Sequence, residues 1–418
     1  MLPLVWVLAD YSGTLDLSNR TEVRGRYTQG TTVSPAQGAP PNPSLDLADT
    51  ATTLLRARSR VSELSLGYSV LGILGDVEVG GAPQAIQSAD ARASWRGRRV
   101  RLELGESAQY GIMNSAYLLA APALPTPSGG PMMPSGSASP GVQQLTPPTS
   151  LQFGSSRTSL TSELRVSRRW LASTRLEYGV TGGLDDAART TLALVRGPRA
   201  EVGADFLASR VDSLATRADV FRSDTSSAPC LPTLVGVAPG DTCAPTAEAA
   251  EIREIWRHAL SREDTVTTAA GASYVHTRLR SADSFTNVAY PMALVGFEHS
   301  TGRESSRTAL RAEAQIAPLV DLRSGAVDER AQATVSATAA RGPMTLSGTL
   351  AAAHSIASPF LQPVTVLQAA GELEYRVDQN IGVGGGLRYA LQQQDPFPLF
   401  SGGMAYVQIT LRTPQIRF

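Results

Sequence analysis

Four histidines, two cysteines and short runs of arginine alternating with acidic residues are what this chain of 418 residues offers for chemistry. His258, His276, His299 and His354 are scattered, without the close spacing that gathers metal ligands. No metal site and no cofactor are expected. A hydrolase would need one histidine to relay a proton between a serine and a carboxylate, and His276 and His354 share one strand face. Yet no GxSxG elbow, phosphate-binding loop or HExxH helix accompanies them. No catalytic residue is assigned, and an outer-surface hydrolase stands last among three function classes. Cys230 and Cys243 lie thirteen residues apart in a Pro/Gly-rich stretch. A disulfide between them would stabilise that loop by about 3 kcal/mol. It would also place the chain in an oxidising compartment. Two unrelated thiols are the alternative.

The charged runs are more informative. Arg20, Glu22 and Arg24 are two residues apart, as are Arg101 and Glu103, Glu163 and Arg165, and Arg175 and Glu177. Arg217 and Asp219, Arg311 and Glu313, and then Glu372, Glu374 and Arg376 repeat the spacing, with Arg388 and Arg412 added singly. A step of two puts side chains on one face of a β-strand. Opposite charges on adjacent strands then pair across the sheet. These eighteen residues are expected to line a lumen and keep it wet, as a passage or as a ladder that fixes shape. Their balance predicts weak ion selectivity, because strong selectivity needs a ring of one sign.

The opposite face of the same segments is apolar. In residues 61–70, Leu64, Leu66, Tyr68 and Val70 oppose Glu63, Ser65, Gly67 and Ser69. Residues 100–111 repeat the scheme, with Glu106 as its one exception. Strands with lipid on one face and water on the other make a transmembrane β-barrel. Eighteen such segments can be traced, the first at residues 15–27 and the last at 402–413. The fold class is therefore all-β: a closed antiparallel barrel of about 16–18 strands. Connections alternate between tight turns and long loops, which places the turns in the periplasm and the loops outside. Residues 1–14 read as a tail or signal-peptide remnant, and 15–418 as one barrel domain with long loops at 28–46, 112–150 and 224–249.

Aromatic residues gather toward the strand ends. Tyr27, Tyr68, Tyr110, Tyr178, Tyr274 and Tyr389 lie toward the long loops, and Trp95, Trp170 and Tyr375 toward the tight turns. Such rings settle at headgroup level, forming two girdles. All 37 basic residues are arginine and the formal net charge is zero, which gives no support to nucleic-acid binding. Hydrophobic residues at 42% suit a barrel without a packed interior. In residues 380–392, Gly382, Gly384 and Gly386 fall on the lumen side, which permits sharp curvature or close approach of an inserted segment.

The last segment, GGMAYVQITLRTPQIRF, alternates Ala405, Val407, Ile409 and Leu411 and ends on Phe418. It resembles the closing strand of the Gram-negative outer-membrane β-barrel superfamily, porin-like members included. The resemblance covers nearly the whole chain in pattern, without a subfamily signature. It implies residence in outer-membrane lipid, loops on the cell surface, and delivery by the barrel-assembly machinery reading Phe418. The leading expectation for function is diffusion of small hydrophilic solutes. A binding, adhesin or envelope-structural barrel with an occluded lumen is the rival, and the oligomeric state is left open.

Overall fold

The computed structural model describes residues 12–29, 44–74, 84–114, 150–189, 194–226, 228–229, 242–243, 245–279, 284–303, 306–320, 327–357, 363–394, 397–414 and 416–417. Eighteen long strands make one closed antiparallel sheet. In chain order they are β1 (Ser12–Gln29), β2 (Ser44–Arg58), β3 (Ser62–Leu74), β4 (Gln84–Arg96), β5 (Val100–Asn114) and β6 (Ser150–Arg165). Then come β7 (Trp170–Gly183), β8 (Val195–Leu207), β9 (Asp212–Thr225), β10 (Pro245–Ala259), β11 (Asp264–Leu279) and β12 (Ser284–Arg303). The last six are β13 (Ser306–Val320), β14 (Val327–Arg341), β15 (Met344–Ala357), β16 (Val364–Arg376), β17 (Ile381–Gln394) and β18 (Phe397–Arg412). Each strand pairs with the next, and β18 returns to β1 in a register running from Ser18↔Arg412 to Gln29↔Ser401. Closure satisfies the backbone groups that an edge would expose, as a bilayer demands.

Alternation along each strand sorts the side chains as the sequence suggests. The outward positions carry Leu66 and Tyr68 on β3, Leu102 and Leu104 on β5, and Val407 and Ile409 on β18, all exposed. On β14 the outward row is Ala331, Ala333, Val335, Ala337 and Ala339, opposite Leu346 and Leu350 of β15. Large exposed apolar side chains over a whole outer surface make sense only in lipid. Glu106, the exception, points outward and accepts hydrogen bonds from the Thr158 and Ser156 hydroxyls of β6.

Five of the tight turns share one chemistry. Ser209 Oγ accepts the Val211 and Asp212 amides at 3.1 and 2.9 Å and donates to the Asp212 carboxylate at 2.8 Å. Ser261 does the same for Glu263 and Asp264. Ser59, Ser167 and Asp378 each hold the same two amides in their own turns. A serine or aspartate side chain thus substitutes for the missing turn hydrogen bonds.

The strands are longer than the alternation indicates, chiefly at the long-loop end. β6 starts at Ser150, nine residues before the expected start at 159, and β8 starts at Val195 instead of 200. The glycines and serines of residues 150–158 and the Gly197–Pro198 pair read as loop signals. In a closed sheet, neighbours on both sides hold such residues extended. Pro198 leaves its mark as a gap in the β8–β9 ladder between Arg196↔Asp224 and Arg199↔Phe221, because it has no amide to donate. The long loops are correspondingly shorter than 28–46, 112–150 and 224–249, and within the last a two-residue pair joins Ala228–Pro229 to Thr242–Cys243. A one-turn helix, Asp186–Arg189, follows β7 with Asp185 capping the Ala188 amide at 2.6 Å. Most of the expected tail, the Tyr27 side chain, Cys230 and Phe418 lie outside the described residues.

Candidate functional site: the lumen

The inward face divides into three tiers along the barrel axis. At mid-height is a belt of ion pairs. Arg20 Nε lies 2.6 Å from Glu22, and Arg24 lies 2.6 Å from the same carboxylate. Arg20 also reaches Glu372 of β16 at 3.3 Å. Tyr406 Oη and Gln408 Nε2 of β18 donate to Glu372 at 2.8 and 3.0 Å. The guanidinium of Arg388 sits over the Tyr406 ring at 5.3 Å. Four strands are thereby tied across the junction between β18 and β1.

Glycine makes that reach possible. Gly382, Gly384 and Gly386 of β17 lie between Glu372 and Glu374 on one side and the polar side chains of β18 on the other. A Cβ at Gly386 would stand 2.5 Å from Tyr406 Oη and 2.6 Å from the Gly371 carbonyl oxygen. At Gly384 it would meet Gln408 Nε2 at 3.0 Å and also press on the Leu373 carbonyl. Arg412 crosses the same glycine track to Glu374 at 2.5 Å. The groups that approach these glycines belong to the neighbouring strands β16 and β18, not to an inserted segment.

The rest of the belt follows the same grammar. Arg101 lies 3.0 Å from Glu103 and 3.8 Å from Glu163; Arg175 lies 3.1 Å from Glu177, and Arg311 lies 2.8 Å from Glu313. The densest part spans β8 to β10. Arg217 holds Asp205 at 2.7 Å, Arg253 holds Glu201 at 3.2 Å, and Arg199 pairs with Asp219. The register puts all eighteen sequence-selected residues on the inner face. Arg165 and Arg376 stand apart from the belt, exposed at its tight-turn margin.

Sequence reasoning missed Arg92, Arg157, Arg199, Glu201, Asp205, Glu251 and Arg253, all at inward positions of the same strands. The period-two register of the expected strands already held Arg92, Glu201, Asp205, Glu251 and Arg253, whereas Arg157 and Arg199 needed β6 and β8 extended toward the long loops. It also missed the upper tier. Toward the long loops, the inner positions are apolar and buried: Leu71, Ile73, Ile86 and Phe153 in one cluster, Val275, Tyr290 and Val327 in a second, Val364 and Val366 in a third. The expectation of a wet lining therefore fits the belt and not this collar.

The described aromatic residues expected to form girdles lie on the outer surface. Tyr68, Tyr110, Tyr178, Tyr274 and Tyr389 point outward and are about half exposed. Trp95, Trp170 and Tyr375 face outward near the tight turns, joined by Trp256 and by Phe206, whose ring lies 4.8 Å from that of Trp170. The histidines are also external. His276 contacts Asn287 and His354 contacts Thr365, at 2.7 and 2.8 Å, on strands far apart around the ring. His258 and His299 contact Asp212 and Asp264, each at 2.7 Å, and those aspartates in turn bind the turn serines. The carboxylate stands between serine and histidine, which is not the order of a proton-relay triad.

A family model described as the EpsX exopolysaccharide export family matches residues 84–360. No curated protein matches the chain. Among solved structures, the copper transporter OprC is 12% identical, with a TM-score of 0.45, over 93% of this chain and 64% of that one. The chain thus spans a little under two thirds of OprC. OpdQ of Pseudomonas aeruginosa is 8% identical, with a TM-score of 0.45, over 96% of this chain and 98% of that one. A BenF-like porin from Pseudomonas fluorescens Pf-5 is 8% identical, with a TM-score of 0.46, over 96% and 99%. A closed antiparallel barrel with a greasy exterior is the architecture of the bacterial outer membrane.

Proposed function

The chain belongs to the EpsX exopolysaccharide export family, and on that premise we propose that its lumen is the passage by which an exopolysaccharide crosses the outer membrane. The observation that carries this reading is the inner belt, a set of ion pairs at mid-height on many of the eighteen strands. Barrels of that size leave an aqueous channel when loops do not fill it. Arginine and carboxylate side chains held by each other offer hydrogen-bonding surface to sugar hydroxyls without a large net charge. No residue is asked to make or break a bond, so the role is conduction and not catalysis. Tight turns face the periplasm and long loops the cell surface in this arrangement.

A passage of this kind also admits small hydrophilic solutes, and the belt, neutralised internally, adds little charge preference of its own. The test is conductance of purified protein in a planar bilayer, combined with export by cells lacking the chain. Channel openings, together with polysaccharide retained in the periplasm until the gene is restored, support the reading. A barrel silent at every voltage, in cells that export normally, would favour the adhesin or envelope-structural reading instead.

A further inference from the structure

The tight-turn mouth is rich in arginine. Arginine occurs in or beside every described tight turn. Arg60, Arg98, Arg168, Arg210 and Arg262 occupy turn tips, while Arg341 and Arg376 flank the last two. A second tier faces the pore. Arg58, Arg96, Arg165, Arg307 and Arg376 sit on inward register positions at the strand ends and are exposed. None of these five forms an ion pair among the described residues, in contrast to the belt above them. Arg96 directly opposes Arg101 across the β4–β5 ladder, but Arg101 is already held by Glu103 and Glu163, so Arg96 is the member of that pair left for an outside anion. The carboxylates at this end are few. Asp212 and Asp264 are already taken by histidine and serine, leaving Glu63, Glu263, Glu298 and Asp378 exposed.

We propose that this inner rim of arginines is the entry site for a polyanionic polysaccharide, one bearing carboxylate or phosphate groups along its length. The proposal deepens the export reading and rests on it. Guanidinium groups bind such anions through paired hydrogen bonds, and several weak sites around one mouth hold a repeating polymer better than any one alone. A basic funnel also raises the local concentration of an anionic chain before it enters. Beyond the rim, the guanidinium groups of the belt are engaged with their own carboxylates, so a threaded anionic chain meets few free cations there. Capture at the entrance and slippage inside follow from the same residue type in two pairing states.

Arginine near a bilayer surface can also serve phospholipid headgroups, and the test separates the two anion sources. Full-length barrel in neutral detergent is titrated with polygalacturonate and with dextran of similar length. Polygalacturonate binds, its affinity falls as salt rises, and dextran does not bind. Substituting Arg58, Arg96, Arg165, Arg307 and Arg376 together by glutamine weakens polygalacturonate binding at least about tenfold, whereas the corresponding lysine variant keeps most of it. Glutamine at the turn tips Arg60, Arg98, Arg168, Arg210 and Arg262 changes binding by less than about threefold. A larger loss from the turn-tip variant than from the inner-rim variant would move the polymer site off the pore and overturn the proposal, and so would anionic-lipid vesicles competing polygalacturonate off the inner rim more strongly than free polygalacturonate does. Equal binding of dextran, or salt-independent binding, overturns it too. Because binding is read without conduction, a barrel that binds the polymer yet passes no current counts against export alone.

Discussion

Glu372 shows how much one side chain can carry in a lumen. Its two oxygens accept from Arg20, Tyr406 and Gln408 on strands that are not its neighbours. Replacing it with alanine strands three donors in a half-buried site. The Glu372→Ala protein is expected to lose about 1–3 kcal/mol against wild type in denaturant unfolding from detergent. Glu372→Gln keeps an acceptor and loses less. The turn serines invite a similar experiment. Ser261→Ala removes acceptors for two amides at 3.0 Å and is expected to cost about 0.5–1.5 kcal/mol, read from the same unfolding midpoint. Residues such as Glu372 were identifiable as inward from spacing alone. Their partners were not, because period two reports the face of a sheet and says nothing about which side chains meet across a glycine track.

At the level of the strand, the prediction concerns sidedness. Leu104 faces lipid on β5 and Ser107 faces the lumen three residues later. Leu104→Arg is expected to destabilise the barrel by about 2–4 kcal/mol if it lies near the bilayer midplane, and Ser107→Arg by far less, judged by unfolding in lipid vesicles. Gly386→Ala should loosen β17 against β18, since its Cβ would crowd Tyr406, whereas Gly371→Ala, with open space around it, should stay within about 0.5 kcal/mol of wild type. Heat resistance of the folded band on a gel ranks the pair. Strand existence and facing were legible because lipid and water impose opposite demands on alternate residues. Strand ends were less so. Outside the hydrocarbon those demands lapse, and serine, glycine and Pro198 then mimic a loop while remaining hydrogen-bonded in the sheet. The apolar collar escaped for a related reason: Leu71 and Ile73 occupy inward positions in a stretch where the alternation fades into apolar residues, and Ile86 stands alone between Ala85 and Gln87, without a pattern to mark its face.

For the molecule as a whole, the collar and the belt divide the work. Hydrophobic constrictions resist water more than polar ones of equal width. Serine at both Ile73 and Ile86 is therefore expected to raise single-channel conductance or open time in a planar bilayer; an unchanged trace would mean that the collar does not limit passage. The closure of β18 on β1 has a further consequence. Residues nearly a whole chain apart, such as Ser18 and Arg412, must find one another last, after every hairpin has formed locally. At that joint a slip of a single residue would turn Arg20 and Arg24 toward hydrocarbon and Val23 toward water. The contacts of Glu372 with Arg20 and Tyr406 exist only in the correct alignment, so they act as a proofreading latch that rewards the right fit at the moment the cylinder seals.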